Sequence, residues 1–185
     1  MKKLFLLTIL FISGAAFAQQ QVSLEAFKAL KSEVDANIQI VKSDVYKIEY
    51  SGNTELAEKI KVEVGGQEWS KKVTNSGVVI NSDNLTISSK EAGISFKDLV
   101  VKVYVPELKV VSLSEGGRIT MDNEFSKTDN FVLSISNGAV ADFSNIDFNS
   151  LVVSSDSDSE LLYKSVKNMV SSNKNGSRIV INRDR

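Results

Sequence analysis

The feature that most constrains the fold is a short motif that recurs four times in the second half of the chain. Val-Val-Ser at 110–112 is followed by Val-Leu-Ser at 132–134, Val-Val-Ser at 152–154 and Val-Ser-Ser at 170–172. Repeats of about 20 residues are typical of solenoids, whose units stack to bury one continuous core. No helical stretch separates the strand-like segments, so the pattern favours a β-helix over a leucine-rich repeat.

The repeats place residue types in columns. One column is Val110, Val132, Val152 and Val170, and the column two residues on is Ser112, Ser134, Ser154 and Ser172. Because strand side chains alternate between faces, Leu133 and Ile135 are predicted to point inward, while the valine and serine columns point outward. We therefore expect an exposed ladder of hydroxyls, and a valine column that the N-terminal half partly covers.

A turn is predicted at one point of every repeat. Gly116, Gly138 and Gly176 fall in register, and Asp158 takes the place of glycine in the third copy. The inward column loses apolar character along the chain, through Leu113, Ile135, Ser155 and Asn173. Because repeat proteins need a polar terminal unit, Asn173-Lys174-Asn175 and Arg183-Asp184-Arg185 are interpreted as a cap.

The N-terminal half is predicted to be rich in strands. Alternating or β-branched runs lie at 38–40, 45–50, 78–80, 85–87 and 99–105, with a turn at 81–84 and Pro106 after the last run. A short helix is predicted over 54–62, ended by Gly65-Gly66, and Trp69 is expected to cover an edge of the core. The predicted fold class is mostly β: a single-stranded parallel β-helix-like solenoid of about four coils over 107–185, preceded by a strand-rich half over 19–106 with one short helix. The two parts are expected to form a single domain.

The first 18 residues have the three-part pattern of a secretory signal peptide. Lys2 and Lys3 precede an apolar run over 4–12, and Ala16-Phe17-Ala18 is a small-residue cleavage site. The run is shorter than the roughly 20 residues needed to span a bilayer. We expect cleavage before Gln19 and export to the periplasm, the cell surface or the medium.

Composition excludes several chemistries. The chain has 0 Cys and 0 His, which removes disulfides, thiol chemistry, His-based catalytic triads and His-ligated metals. A formal net charge of −1, without a basic cluster, argues against nucleic-acid binding. No catalytic residue, cofactor or metal is assigned from the sequence.

Two charged patterns leave alternatives open. The acidic stretch 154–160, with Asp156 and Asp158, is interpreted either as a calcium loop or as a solvated turn. Arg118, Glu160 and Arg178 share a column with Val140, and this row is either an outward ladder of ion pairs or part of a catalytic groove. Trp69 and Tyr104 could both stack on sugar rings; alternatively, Tyr104 belongs to a strand face and Trp69 to a loop that closes the core.

Several segments resemble a known family. They are Ala26-Phe27-Lys28-Ala29-Leu30, 36–40, the strand 46–50 and, most clearly, the run 101–109, where a strand ends in Pro106 and leads into the repeats. Together they resemble the putative auto-transporter adhesin head GIN domain family of bacterial envelope proteins. The resemblance implies a β-helix-like fold and an exported, surface-associated role, and it supplies no catalytic residues.

Three functions follow as hypotheses. The first is a non-enzymatic envelope or cell-surface domain that binds an unidentified glycan or protein along the face of Ser112, Ser134, Ser154 and Ser172. The second is a carbohydrate-active enzyme, with Asp158 and Glu160 as the first suspects. The third is a self-association module, in which the valine column or a coil end buries against another copy in a homo-oligomer.

Overall fold

The computed structural model describes residues 21–71, 78–125 and 128–181. This part of the chain is mostly β with one short α-helix, as the sequence predicts. The strands are β1 (Gln21–Ser23), β2 (Ala29–Ser32), β3 (Asn37–Lys42), β4 (Lys47–Gly52), β5 (Ile60–Lys71), β6 (Val78–Ser89), β7 (Leu99–Val105), β8 (Val110–Leu113), β9 (Arg118–Met121), β10 (Phe131–Ile135), β11 (Val140–Ser155), β12 (Glu160–Asn173) and β13 (Arg178–Ile181), and the helix is α1 (Thr54–Ala57). The predicted signal peptide and Arg183-Asp184-Arg185 lie outside the described residues.

The strands form one sheet with two arms that meet in the long strands β11 and β12. The first arm runs β5-β6-β2-β8-β10 and continues into the second halves of β11 and β12. The second arm runs β1-β4-β7-β3-β9 and continues into the first halves of β11 and β12, and then β13. The antiparallel pairs are β5–β6 in the first arm and β1–β4 and β4–β7 in the second, while the other pairs of strands are parallel. Antiparallel strands therefore lie at the end of each arm that is farthest from β12.

The repeats pair side by side in the predicted columns. Val132 lies opposite both Val110 and Val152, and Val152 lies opposite Val170. The predicted turns lie at the expected positions, since Gly116, Gly138 and Gly176 have φ of 72°, 72° and 79°. Asp158 has φ of 58° at the equivalent position, a left-handed conformation that glycine adopts without strain.

The N-terminal strands interleave with the later ones. β2 pairs in parallel with β6 on one side and β8 on the other, and β3 lies between β7 and β9. Ala29 is opposite Val110, and Asn37 is opposite Arg118. The segment 29–42 is thus an additional layer of the parallel stack, inserted between strands that follow it in the chain.

The core lies between the two arms. The Phe131 ring, on the first arm, lies 5.7 Å from Phe143, on the second, and 5.4 Å from Phe148, measured between ring centroids. All three side chains are at least 98% buried. Because aromatic rings bury large areas and gain from tilted contacts, this cluster holds the arms together.

Three local predictions in the N-terminal half are wrong. The helix ends at Ala57 instead of residue 62, and Asn53 caps it by accepting a hydrogen bond from the Glu55 backbone N–H at 3.1 Å. Gly65-Gly66 lies inside β5, and the predicted turn 81–84 lies inside β6. The reason is tertiary: Val62 and Val64 pair with Ile87 and Leu85 and pack against the core, which outweighs weak helix propensity. The Trp69 side chain lies outside the described part of the structure.

Candidate binding face

The serine face consists of Ser112, Ser134, Ser154 and Ser172, which lie on successive parallel strands. Each serine is opposite the next across the ladder, and all four are half-buried. Adjacent strands are about 4.8 Å apart, so the row of four spans about 14 Å. Each hydroxyl donates one hydrogen bond and accepts others, which gives the row the chemistry to meet sugar hydroxyls or peptide groups.

The row extends beyond the repeats. Lys31 lies opposite Ser112, and Thr86 lies opposite Lys31, so these two side chains continue the serine face toward β6. The Lys31 ammonium lies 2.5 Å from the Glu33 carboxylate. The sequence did not predict either residue on this face, because neither β2 nor β6 carries the Val-x-Ser motif. The signal available for Thr86 was the alternating run Leu85-Thr86-Ile87, whereas Ala29-Leu30-Lys31-Ser32 does not alternate and gave none for Lys31.

The valine column beside the serine face is covered unevenly. Val110 is 1% exposed, Val132 and Val152 are half-buried, and Val170 is 48% exposed. Burial of this column therefore decreases from β8 to β12. An aliphatic column next to hydroxyls presents C–H and O–H groups side by side, a pattern that suits the mixed surface of a sugar ring.

Side chains at the stacked turns bond to one another. Asn137 donates to the Glu115 carboxylate at 3.0 Å, and Asn175 donates to Asp156 at 2.6 Å. Asp156 also accepts the Ser157 backbone N–H at 2.8 Å. Asp156 is thus bonded within the turn, which favours the solvated-turn interpretation of the acidic stretch. Within 21–71, 78–125 and 128–181, no group of three or more carboxylates is placed to hold a metal ion.

The predicted charged row is in register but does not form a ladder of ion pairs. Val140 lies opposite Arg118 and Glu160, and Glu160 lies opposite Arg178. Arg118 instead pairs with Asp142, at 2.6 Å. Partial burial acts against the Asp142 carboxylate, but hydrogen bonds from Ser144 and the Arg118 charge outweigh it and hold the pKa of Asp142 below its usual value.

Two clefts in the described part of the chain are lined by charged side chains. One of about 400 Å³ is lined by carboxylates from separate segments, among them Glu33, Asp35, Glu91 and Glu115. The other, of about 190 Å³, includes Lys42 and Phe125. Neither cleft is lined by Asp158, Glu160 or Arg178, so neither places the residues suspected of catalysis around an enclosed substrate site.

Tyr104 belongs to a charged cluster on the second arm. Its hydroxyl donates to Glu49 at 2.6 Å, and the Lys47 ammonium lies 2.7 Å from the same carboxylate and 4.2 Å from the Tyr104 ring centroid. Hydrogen bonds from Lys47 and Tyr104 lower the pKa of Glu49, while the bond to Glu49 raises the pKa of Tyr104 to about 12. With Lys47 over its ring, Tyr104 fits the strand-face interpretation better than a sugar platform.

Parallel strands in register that carry a row of serines define a class of β-rich, repeat-built domains. The comparison with protein families narrows the class: residues 26–179 match the family described as putative auto-transporter adhesin, head GIN domain. The chain belongs to this family. Its description names an adhesin rather than an enzyme, which suggests an exported or cell-surface protein with a binding partner. No curated protein matches the sequence significantly.

Solved structures show the same fold at low sequence identity. A putative adhesin from Parabacteroides distasonis is 13% identical with a TM-score of 0.60, and covers 87% of this chain and 66% of its own. A putative lipid binding protein from the same species is 11% identical with a TM-score of 0.57, and covers 84% and 61%. A putative adhesin from Bacteroides fragilis is 13% identical with a TM-score of 0.50, and covers 87% and 94%. This chain therefore spans less than two thirds of the first two neighbours. Within the described residues, no helix is long and apolar enough to cross a membrane.

Proposed function

We propose that the chain is an exported, non-enzymatic domain of the cell envelope or cell surface that binds a glycan or a protein along the serine face. The observation that carries the proposal is the in-register row Ser112, Ser134, Ser154 and Ser172 on adjacent strands. Such a row repeats its hydrogen-bond donors and acceptors at the strand spacing, which suits a repeating or extended ligand. Membership in an adhesin family supports the same function.

The architecture proposed for this face is a parallel β-helix-like solenoid of about four coils. The parallel registers of β8, β10, β11 and β12 support it, together with the positive φ values at each turn. In such a stack every outward column is fixed by hydrogen bonds along the axis, so the spacing of the hydroxyls is set by the backbone.

Export is proposed to occur through the N-terminal signal peptide, with cleavage before Gln19. The mass of the protein recovered from the periplasm or the medium tests this directly. A mature mass that begins at another residue, or retention of residues 1–18, would contradict the cleavage site.

The binding proposal is tested with an array of envelope and host glycans, proteins and lipid vesicles. The vesicles are included because one structural neighbour is described as a putative lipid binding protein. The variant Ser134→Lys with Ser154→Lys places two charged side chains in the middle of the serine face. We expect any ligand that binds there to lose at least tenfold in affinity, since long charged side chains block the flat surface and carry a desolvation cost.

The matched control places two lysines on the second arm, at Gln39 and Thr120, which lie opposite each other on β3 and β9. Binding that survives in the serine variant, or falls equally in the control, would rule out this face. The masses of the glycans are measured in the same experiment. Cleavage that depends on Asp158 and Glu160 would replace the binding function with the enzymatic alternative.

A further inference from the structure

The stack of strands has an open edge at β12. The second half of β12 pairs with β11, and in the described ranges no strand lies on its other side. The Lys174 backbone N–H donates to the Ser155 carbonyl at 3.0 Å. Because backbone groups alternate sides along a strand, Met169, Ser171 and Asn173 direct their N–H and C=O groups to the open side.

Apolar side chains accompany the open edge. Met169 and Ile179 are only partly buried against the core, and Val170 and Ile181 are 48% and 46% exposed. The equivalent inward positions one layer earlier are Leu151, Leu161 and Tyr163, which are at most 4% exposed. The last layer therefore leaves apolar surface that one more strand would cover.

The charged side chains of this last layer are all positive. Residues 161–181 contain Lys164, Lys167, Lys174 and Arg178 and no Asp or Glu, whereas residues 101–160 contain ten Asp and Glu and four Lys and Arg. Lys164 lies 3.4 Å from Asp147, and the other three cations form no ion pair within the described residues. Lysines on an edge repel a second copy that would pair there, since each copy would bring the same positive charge.

We propose that the open edge of β12 binds an extended acidic segment of another polypeptide, which adds to the sheet as a strand. The exposed backbone groups require a polypeptide partner, because a glycan or a lipid has no ladder of amides to pair with them. The cations select acidic side chains, and Met169 sets a position where the partner presents an apolar residue. This site borders the serine face at Ser172, which lies on β12, but the proposal does not require a ligand on that face.

The test uses a short acetylated and amidated peptide that alternates glutamate and valine, with fluorescence anisotropy as the measurement. The native chain is expected to bind this peptide and not the analogue with lysine in place of glutamate. Ser171→Pro removes one N–H from the open edge without removing a bond to β11, and it is expected to abolish binding, while Ser171→Ala retains binding. Lys167→Glu with Lys174→Glu is expected to weaken binding at least tenfold. The control pair Lys61→Glu with Lys97→Glu, outside this layer, leaves binding unchanged.

A peptide with alternate amides methylated removes the same hydrogen bonds from the partner and keeps the protein native. Loss of binding with this peptide supports strand addition even where Ser171→Pro impairs folding. Full affinity for the methylated peptide, or no binding of the acidic peptide at all, would overturn the proposal. Dextran sulfate that binds equally well and is equally sensitive to Ser171→Pro would also overturn it. Self-association of the native chain that Ser171→Pro abolishes would assign the edge to a second copy instead.

Discussion

The substitution Gly117→Ala tests whether the segment 29–42 lies within the stack of parallel strands. A Cβ at Gly117 would lie 2.6 Å from the Val34 carbonyl oxygen and 3.1 Å from the Leu113 Cδ1. The next residues in this column, Ala139 and Ser159, carry a Cβ and are fully buried. The difference arises from the turn in the segment 29–42, which lacks the positive φ values of the later turns and brings its Val34 carbonyl against Gly117.

We expect Gly117→Ala to lower the free energy of unfolding by about 1–2 kcal/mol. Overpacking a buried site costs roughly 1–3 kcal/mol, and the loss of glycine flexibility in the unfolded chain returns about 0.4–1 kcal/mol. For a chain of this size the expected decrease in Tm is about 2–8 °C. The measurement is urea and thermal unfolding followed by circular dichroism, with hydrogen exchange at the β2 amides. These amides are expected to exchange faster in the variant, because β2 lies next to the clash.

Gly65→Ala is the matched control, since a Cβ at Gly65 meets nothing within 4 Å. It is expected to leave stability unchanged or to raise it by about 0.4–1 kcal/mol. If Gly117→Ala were as stable as the native chain, with unchanged exchange at β2, the Val34 carbonyl would not approach Gly117. The position of β2 between β6 and β8, and of β3 between β7 and β9, would then be wrong.

Four further substitutions test the turns, the core and the charged cluster. Asp158→Gly removes the steric cost of a left-handed backbone at a residue with a Cβ. It is expected to raise the free energy of unfolding by about 0.5 kcal/mol, measured by thermal unfolding, whereas Gly138→Asp is expected to lower it. Phe131→Ala is expected to cost about 3–5 kcal/mol in urea unfolding, and a loss below about 1 kcal/mol would contradict the aromatic contacts between the arms. The pKa of Glu49 is lowered in the folded chain, so the ionised carboxylate stabilises the folded state. This contribution to the free energy of unfolding is present above pH 4.5, the ordinary pKa of the group, and is lost as the pH falls through the folded pKa. Glu49→Gln is therefore expected to reduce the loss of stability between pH 7 and pH 3. The measurement is the free energy of unfolding of the native chain and of the variant at both pH values.

The repeats could be predicted from the sequence because their information is local. Each strand carries Val-x-Ser or a close variant, and the valine and serine columns define the parallel registers of β8, β10, β11 and β12. The turns were equally visible, because a left-handed backbone selects glycine at Gly116, Gly138 and Gly176. In both cases each residue pairs with the equivalent residue of the next repeat, about 20 positions along the chain.

The insertion of β2 and β3 could not be predicted in the same way. Ala29-Leu30-Lys31-Ser32 pairs with residues 81 positions later, and its turn contains no glycine, so the column pattern does not extend to it. Likewise, Gly65-Gly66 and the polar run 81–84 signal turns locally, yet the long antiparallel pair of β5 and β6 covers the end of the first arm and keeps both segments extended. The structure of β2, β3, β5 and β6 is therefore determined by pairing between distant segments and not by local propensity.

The two ends of the stack differ, and this difference relates the two proposed sites. At one end the parallel layers give way to the antiparallel pairs β5–β6 and β4–β7. At the other end Ser172 is the last member of the serine face and lies on the open edge strand β12 itself. A strand added beside β12 would lie next to Ser172 and lengthen the outward row by one position. A ligand that spans the serine face would then contact both proteins. Its affinity should rise when the acidic segment is bound, and the same factor should increase the affinity of that segment for the edge.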